Sequence, residues 1–365
     1  MSAAATPAIK QFDNLIASDG PAALVVREHL IPAEGADAVF FPATYAPSRK
    51  GEKSGYNIDS AKDGSNVVLI DSVGSQANRI EPMFKEKPYS ALVPQIVIKA
   101  GAREVNLLDA GHRAGDAIAR CSALKDVLNV AFQTILKSSN ALPLARIAPT
   151  SLVFGVWDSR DTQAKLPRLI ASTVRAYNVR PLTRSAQYIP PVDYLGKSIQ
   201  GEKVAGLEEP GKESDKELFA ECGFGHVPST GSHGGVIAEG GIRRDAVLAL
   251  SALRLLAADT SENTTKLHRY ILGLALVAFT KLPLAYYRQG TILTLDPDKP
   301  RSFESVNNDG TRTDVTFTHE TALAFAQEAA RDFGIKPHAM TVNFDVKLAQ
   351  GAFDEFRKKR GKKAE

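Results

Sequence analysis

The sequence predicts an α+β fold, and three stretches carry that expectation. Residues 67–70, a compact Val-Val-Leu-Ile run, lead straight into Asp71, Ser72 and Ser75, residue types that cap helix N-termini. Residues 264–279 hold a long apolar segment of helical length and spacing. Asn308-Asp309-Gly310, a turn signal, separates extended runs at 290–295 and 314–318, which reads as a long hairpin. Strands interleaved with helices and hairpins suit a mixed fold rather than an all-parallel one.

The remaining elements follow in chain order. Residues 22–31 form a first strand that Pro32 ends. Residues 42–66, with Pro42, Pro47, Gly55 and Gly64, are polar and turn-rich with no apolar period, so an insertion is expected there. Residues 95–99 read as a strand, and 113–137 as helical from the spacing of Ile118, Leu124, Val127, Leu128, Ala131 and Ile135. Residues 152–157 are strand-like, 165–177 read as a helix interrupted near Pro167, and 186–192 are extended. A charged loop at 197–217 precedes a helix at 245–258. The helix at 320–333 should close on Gly334. Strict alternation of Met340, Val342, Phe344, Val346 and Leu348 predicts a half-buried strand, and 355–365 form a solvated basic tail.

Composition narrows the class. With 44% apolar residues the chain has material for a proper core, and a net charge of +4 is too small to announce a nucleic-acid partner by itself. Cys121 and Cys222 give no disulfide framework, the N-terminus lacks an export signal, and the run at 270–279 is too short to span a bilayer. A cytoplasmic protein with no membrane partner is the expectation.

Charge is concentrated locally. Residues 145–200 hold eight basic groups against three acidic ones, and Lys165, Arg168 and Arg175 recur at roughly helical spacing, which would make a cationic stripe with Arg160 beside it. Tyr177 and Tyr188 lie among these charges, placed to stack on unpaired bases. Ser75, Gln76, Asn78 and Arg79, around the start of the first capped helix, suit a phosphate or a nucleic-acid backbone. His112-Arg113, at another helix start, reads as a phosphate contact or a cap. The glycine-rich run at 223–241, followed by Arg243 and Arg244, would let main-chain amides approach phosphates, although it fits no nucleotide-binding motif. Cys222, His226 and His233 lack a fourth ligand and the compact spacing of a zinc site. No nucleophile elbow, His-Glu-x-x-His or two-metal carboxylate cluster is present in the sequence, so neither catalysis nor a cofactor is called for.

Ser75-Gln76-Ala77-Asn78-Arg79-Ile80-Glu81, His112-Arg113-Ala114-Gly115-Asp116-Ala117, Phe154-Gly155-Val156-Trp157-Asp158-Ser159-Arg160 and Arg175-Ala176-Tyr177-Asn178-Val179 together resemble the signature blocks of a CRISPR-associated RAMP family. This is the family of backbone subunits of the type I-U, or I-G, Cascade complex, and the resemblance runs over most of the chain. It implies a single domain, a modified RNA-recognition-motif core of ferredoxin-like type, with a helical insertion around 111–140 and a β-hairpin thumb. The loops at 42–66 and 197–217 are the candidates for that thumb. It also implies a non-catalytic protein, polymerised head to tail along a CRISPR RNA, bound to other Cascade subunits, meeting target DNA through the guide and recruiting a helicase–nuclease. Two other classes stay open on sequence. One is an RNA-processing endonuclease of the same superfamily using His112 or His233. The other is a metabolic enzyme holding a phosphorylated ligand on the glycine-rich run.

Overall fold

The computed structural model describes residues 8–46, 55–191, 194, 211–225, 227–336 and 339–361. In chain order its principal elements are β1 (Ala23–Pro32), β2 (Ile58–Ser60), β3 (Asn66–Asp71), α1 (Val73–Ile80), β4 (Gln95–Ala100), β5 (Arg103–Asn106) and α2 (Lys125–Ser138). Then come β6 (Ile170–Tyr177), β7 (Val179–Tyr188), β8 (Val227–Ala238), β9 (Ile242–Ala249) and α3 (Ser261–Thr280). The chain continues with β10 (Tyr286–Arg288), β11 (Thr291–Leu295), β12 (Ser302–Val306), β13 (Arg312–Asp314), α4 (His319–Phe333), β14 (Ala339–Asn343) and α5 (Val346–Gly361).

The protein is a mixed α+β fold around a curled antiparallel sheet. Its path is β10-β11-β1-β9-β6-β3-β2, with β12 also paired to β1 and β13 to β12. If β1, β6, β9 and the β11/β12 pair are counted as first to fourth, the order across the sheet is fourth, first, third, second. β7 and β8 leave this sheet as a separate two-stranded arm, and β14, β4 and β5 form a small second sheet in which β14 runs parallel to β4.

Alternation sorts each central strand into two faces. Leu24, Val26, Glu28 and Leu30 of β1 point to the covered side, as do Ile242, Arg244, Ala246 and Leu248 of β9 and Ile170, Ser172, Val174 and Ala176 of β6. Two apolar clusters occupy that side. The larger joins Leu24, Val26, Ala246, Leu248 and Ile170 to α3 and α4. The smaller joins Leu30, Ile242, Val174, Ala176, Val68 and Ile70 to Phe40, Tyr287 and Leu293. Glu28, Arg244 and Ser172 sit at the level between them, so a polar belt crosses the covered face.

The caps explain why α1, α3 and α4 start where they do. Ser72 Oγ accepts from the Ser75 amide, Thr260 Oγ1 from Asn263 and Thr318 Oγ1 from Thr321. Gly334, at φ +87°, closes α4. The two long helices pack closely at Gly273, where a Cβ would lie 2.8 Å from Ala326 Cα, and Tyr270 stacks on Phe333 with 4.7 Å between ring centroids. Among the described residues no helix is long and apolar enough to cross a membrane.

Several segments differ from the sequence expectation. Residues 165–177 are not a helix: Lys165–Leu166 is a two-residue strand and 170–177 is β6, in the middle of the sheet. Residues 242–249 are likewise strand β9, with a single helical turn, Leu250–Leu253, in place of the helix expected at 245–258. Thr150–Phe154 is helical before the short strand Val156–Trp157. The alternation at 340–348 is strand only to Asn343, after which α5 begins and takes in the tail through Gly361. The hairpin around Asn308-Asp309-Gly310 is built by β12 and β13. The insertion at 42–66 contains the paired strands Thr44–Tyr45 and Gly55–Tyr56, and then β2. Residues 47–54 and 197–210, parts of the two proposed thumb loops, lie outside the described residues, as do His226 and 362–365.

Candidate nucleic-acid interface

Among the described residues the other face of the central sheet is open, with Arg27 exposed and His29, Arg175, Tyr177, Arg243 and Asp245 half-buried, and these odd-numbered positions carry the chemistry. β1 presents Arg27 and His29, β9 presents Arg243 and Asp245, and β6 presents Thr173, Arg175 and Tyr177. The register sets His29 opposite Arg243 and Arg243 opposite Arg175, a row across three adjacent strands, with Arg27 and Thr173 flanking Asp245 one step along. Neighbouring strands lie about 4.8 Å apart, so these side chains are within reach of one another.

Asp245 organises the row. Its carboxylate accepts from Arg27 Nε at 3.2 Å and from Arg243 Nε at 2.8 Å. Arg243 Nη2 donates to the Tyr177 hydroxyl at 2.8 Å, and its guanidinium carbon lies 4.7 Å from the Tyr177 ring centroid. Arg175 Nη1 donates to Thr173 Oγ1 at 2.6 Å. Partial burial disfavours the Arg243 charge, but Asp245 and Tyr177 outweigh it and hold that guanidinium above its ordinary range. Arg27 and Arg243 share the Asp245 carboxylate while Arg175 bonds Thr173, so three guanidiniums meet one carboxylate and the face keeps a positive excess, oriented by hydrogen bonds that leave other N–H edges free. Such forks match phosphate oxygens in pairs.

Of the sequence-predicted residues, Arg175, Tyr177 and Arg243 meet here. Arg27 and His29 were missed, because β1 reads as a core strand; the signal available was the charge at alternate positions within it. The expected stripe does not exist as a helix face. Lys165 and Arg160 are exposed elsewhere, Lys165 Nζ 5.5 Å from the Trp157 ring and the Arg160 guanidinium 4.8 Å from the Phe356 ring. Arg168 packs its stem on Gly155 and reaches toward Gly74.

Around α1 the polar residues turn largely inward. Gln76 is buried: its Nε2 donates to Asp71 Oδ2 at 2.6 Å and its Oε1 accepts from Ser172 at 2.9 Å. Arg79 donates to Asp71 at 3.0 Å and to the Tyr287 carbonyl at 2.6 Å. Arg244 is ion-paired with Glu28 in the belt. Arg113 is buried between three of the sequence blocks. It pairs with Glu81 at 2.6 Å, donates to the Gly155 carbonyl at 3.3 Å and donates to Asn78 Oδ1 at 3.1 Å. Gln76, Arg113 and Arg244 are therefore buried and lie away from the open face, contrary to a role as exposed contacts to an RNA backbone there. Ser75 is half-buried beneath its cap, while Asn78 and His112 are exposed, His112 lying 3.4 Å from Asp116.

The glycine-rich run is also not a phosphate loop. Most of it is strand β8, and its glycines admit close backbone crossings. A Cβ on Gly234 would lie 2.7 Å from the Thr183 carbonyl carbon, and one on Gly235, at φ +91°, 2.9 Å from the Phe40 carbonyl oxygen. Among the described residues no cluster of three His, Cys, Asp or Glu side chains is placed to hold a metal.

Residues 24–181 match the family described as CRISPR-associated protein GSU0053 (Cas_GSU0053). Over that range the chain is similar to a CRISPR-associated protein. The matched range holds all four sequence blocks and, on the open face, Arg27, Arg175 and Tyr177; Arg243 lies beyond it. That match supports a role in CRISPR defence. No curated protein matches the chain.

Proposed function

We propose that this protein is a non-catalytic backbone subunit of a type I-U/I-G Cascade complex, binding CRISPR RNA along the guide. The row of Arg27, Arg243 and Arg175 on an uncovered antiparallel sheet is the observation that carries the reading. It offers charge to phosphates and one aromatic ring, Tyr177, but few hydrogen-bond groups arranged to read base edges. Contacts of that kind hold any spacer sequence and leave recognition to base pairing between guide and target. The strand order fourth-first-third-second, with the described helices α3 and α4 packed on the covered face, is the order of a ferredoxin-like or RNA-recognition-motif sheet and supports the RAMP assignment. In this reading the β7–β8 arm is the thumb, reaching a neighbouring copy; head-to-tail contacts that do not close would then build a helical filament. Other Cascade subunits, target DNA and a helicase–nuclease acting in trans complete the set of partners.

The test is RNA binding by Arg175→Ala/Arg243→Ala as a function of salt. Each lost phosphate contact should lower the slope of log K against log salt by about 0.7 for a single strand, so the double variant loses about 1.4, equally for unrelated spacers. An unchanged slope would remove the open face from the interface.

A further inference from the structure

On the opposite side of the sheet from the arginine row, a cleft of about 320 Å³ opens between α1 with its following turn and the segment 278–287. Its floor is formed by Gln76, Arg244 and Tyr287, and the polar belt lies directly beneath. That belt is out of balance. Glu28 is held by Arg244 and by Arg301 at 3.1 Å, and Asp71 by Arg79 at 3.0 Å and Arg288 at 3.8 Å. Four guanidiniums thus face two carboxylates, and buried charge without a counter-ion is costly. On the rim Lys281 and Glu86 offset one another.

Two donors at the floor have unfilled bonding capacity. Arg244 is 2% exposed and Tyr287 4%, yet among the described residues neither Arg244 Nη2 nor the Tyr287 hydroxyl has a hydrogen-bond partner. Burial pushes the Tyr287 hydroxyl up to about 12, so it keeps its proton and can donate. Both groups ask for an acceptor, and the surplus charge asks for an anionic one. The walls differ in character: Pro82, Met83, Leu282 and Leu284 make an apolar slot, with Leu282 and Leu284 themselves 57% and 75% exposed. A ligand suited to both parts has an anionic head and a flat, largely apolar body. The volume is at the small end of ligand pockets and admits one such unit.

We propose that this cleft binds a single phosphomonoester of nucleotide size, with its phosphate on Arg244, Tyr287 and Arg79 and its base and sugar between Met83 and Leu284. The site is separate from the open face, since Arg243 and Arg244 alternate to opposite sides of β9.

The experiment is calorimetric titration of nuclease-treated protein with AMP, UMP, inorganic phosphate, adenosine and benzoate. Both nucleotides should bind saturably and about tenfold more tightly than inorganic phosphate, with adenosine and benzoate weaker than either nucleotide. Tyr287→Phe, which removes a hydroxyl without a partner, and Leu284→Asp, which places a carboxylate at the mouth, should each weaken AMP about tenfold without lowering the melting temperature. Arg175→Ala/Arg243→Ala should leave AMP binding intact, whatever becomes of RNA. No saturable binding by either nucleotide would overturn the proposal. So would equal binding of benzoate or adenosine, or AMP binding that survives both cleft variants and disappears in the open-face variant.

Discussion

Replacing Arg113 by methionine would test whether one buried guanidinium joins the three sequence blocks. The backbone at Arg113 is left-handed, φ +55°, a conformation that a non-glycine residue keeps only when its surroundings hold it. Its side chain binds Glu81, the Gly155 carbonyl and Asn78, and packs against the Phe154 ring at 5.4 Å. The Arg113→Met variant would keep most of the side-chain volume and lose all three polar contacts. Glu81 sets the pH dependence. Burial, only partly opposed by Arg113, raises its carboxyl from 4.5 to about 7. The folded state therefore binds that proton more tightly than the unfolded chain, and stability falls as pH rises from 4.5 through about 7. Without Arg113 the pKa climbs further, and each extra unit extends the fall by about 1.4 kcal/mol. At about pH 5.5 the variant, with Glu81 neutral, should lose about 1–3 kcal/mol from unmade hydrogen bonds. At about pH 8.5 the loss should approach the roughly 3–5 kcal/mol of an unpaired buried charge. Urea unfolding at the two pH values measures the difference, and Glu81→Gln added to the variant should abolish it. Equal losses at both pH values would refute the reasoning.

Three further outcomes follow from the packing. Gly155→Ala, at φ +77° with its Cβ 2.7 Å from Arg168 Cγ and 3.0 Å from the Arg168 amide nitrogen, should cost about 1–3 kcal/mol in thermal unfolding. Gly273→Val should push α3 off Ala326 and lower the stability read from denaturant unfolding by about 1–3 kcal/mol, as overpacked cores do. Tyr270→Phe strips a buried donor from the Leu92 carbonyl, bonded at 2.8 Å, and should cost about 1 kcal/mol in the same assay.

What was legible in the sequence was what is locally determined. The helices at 264–279 and 320–333 announce themselves through apolar spacing and through Gly334, whose capping needs only near neighbours. Residues 67–79 likewise give strand, cap and helix in order. The segments 165–177 and 245–258 failed for a shared reason. Alanine and leucine around Ala246 to Leu250 favour helix, and Lys165, Arg168 and Arg175 mimic its period, but pairing with β1 and with each other draws 170–177 and 242–249 into the sheet. That preference is set by partners far away in the chain. The same limit hid the site. Arg243 and Arg244 are adjacent in sequence and face opposite sides of a strand. Nothing local says that Arg113 is buried, because arginine is ordinarily exposed. Arg27 becomes part of a basic row only when β9 and β6 are placed beside β1.

Where the RNA lies decides the central claim. Protein purified from its native host should be irradiated with ultraviolet light with its co-purified RNA in place, and the crosslinked peptides mapped by mass spectrometry. Crosslinks should concentrate on Tyr177 and on the outward positions of 23–32, 170–177 and 242–249, whatever the spacer sequence. The absence of RNA, or crosslinks confined to surfaces away from this face, would contradict an interface on the open sheet.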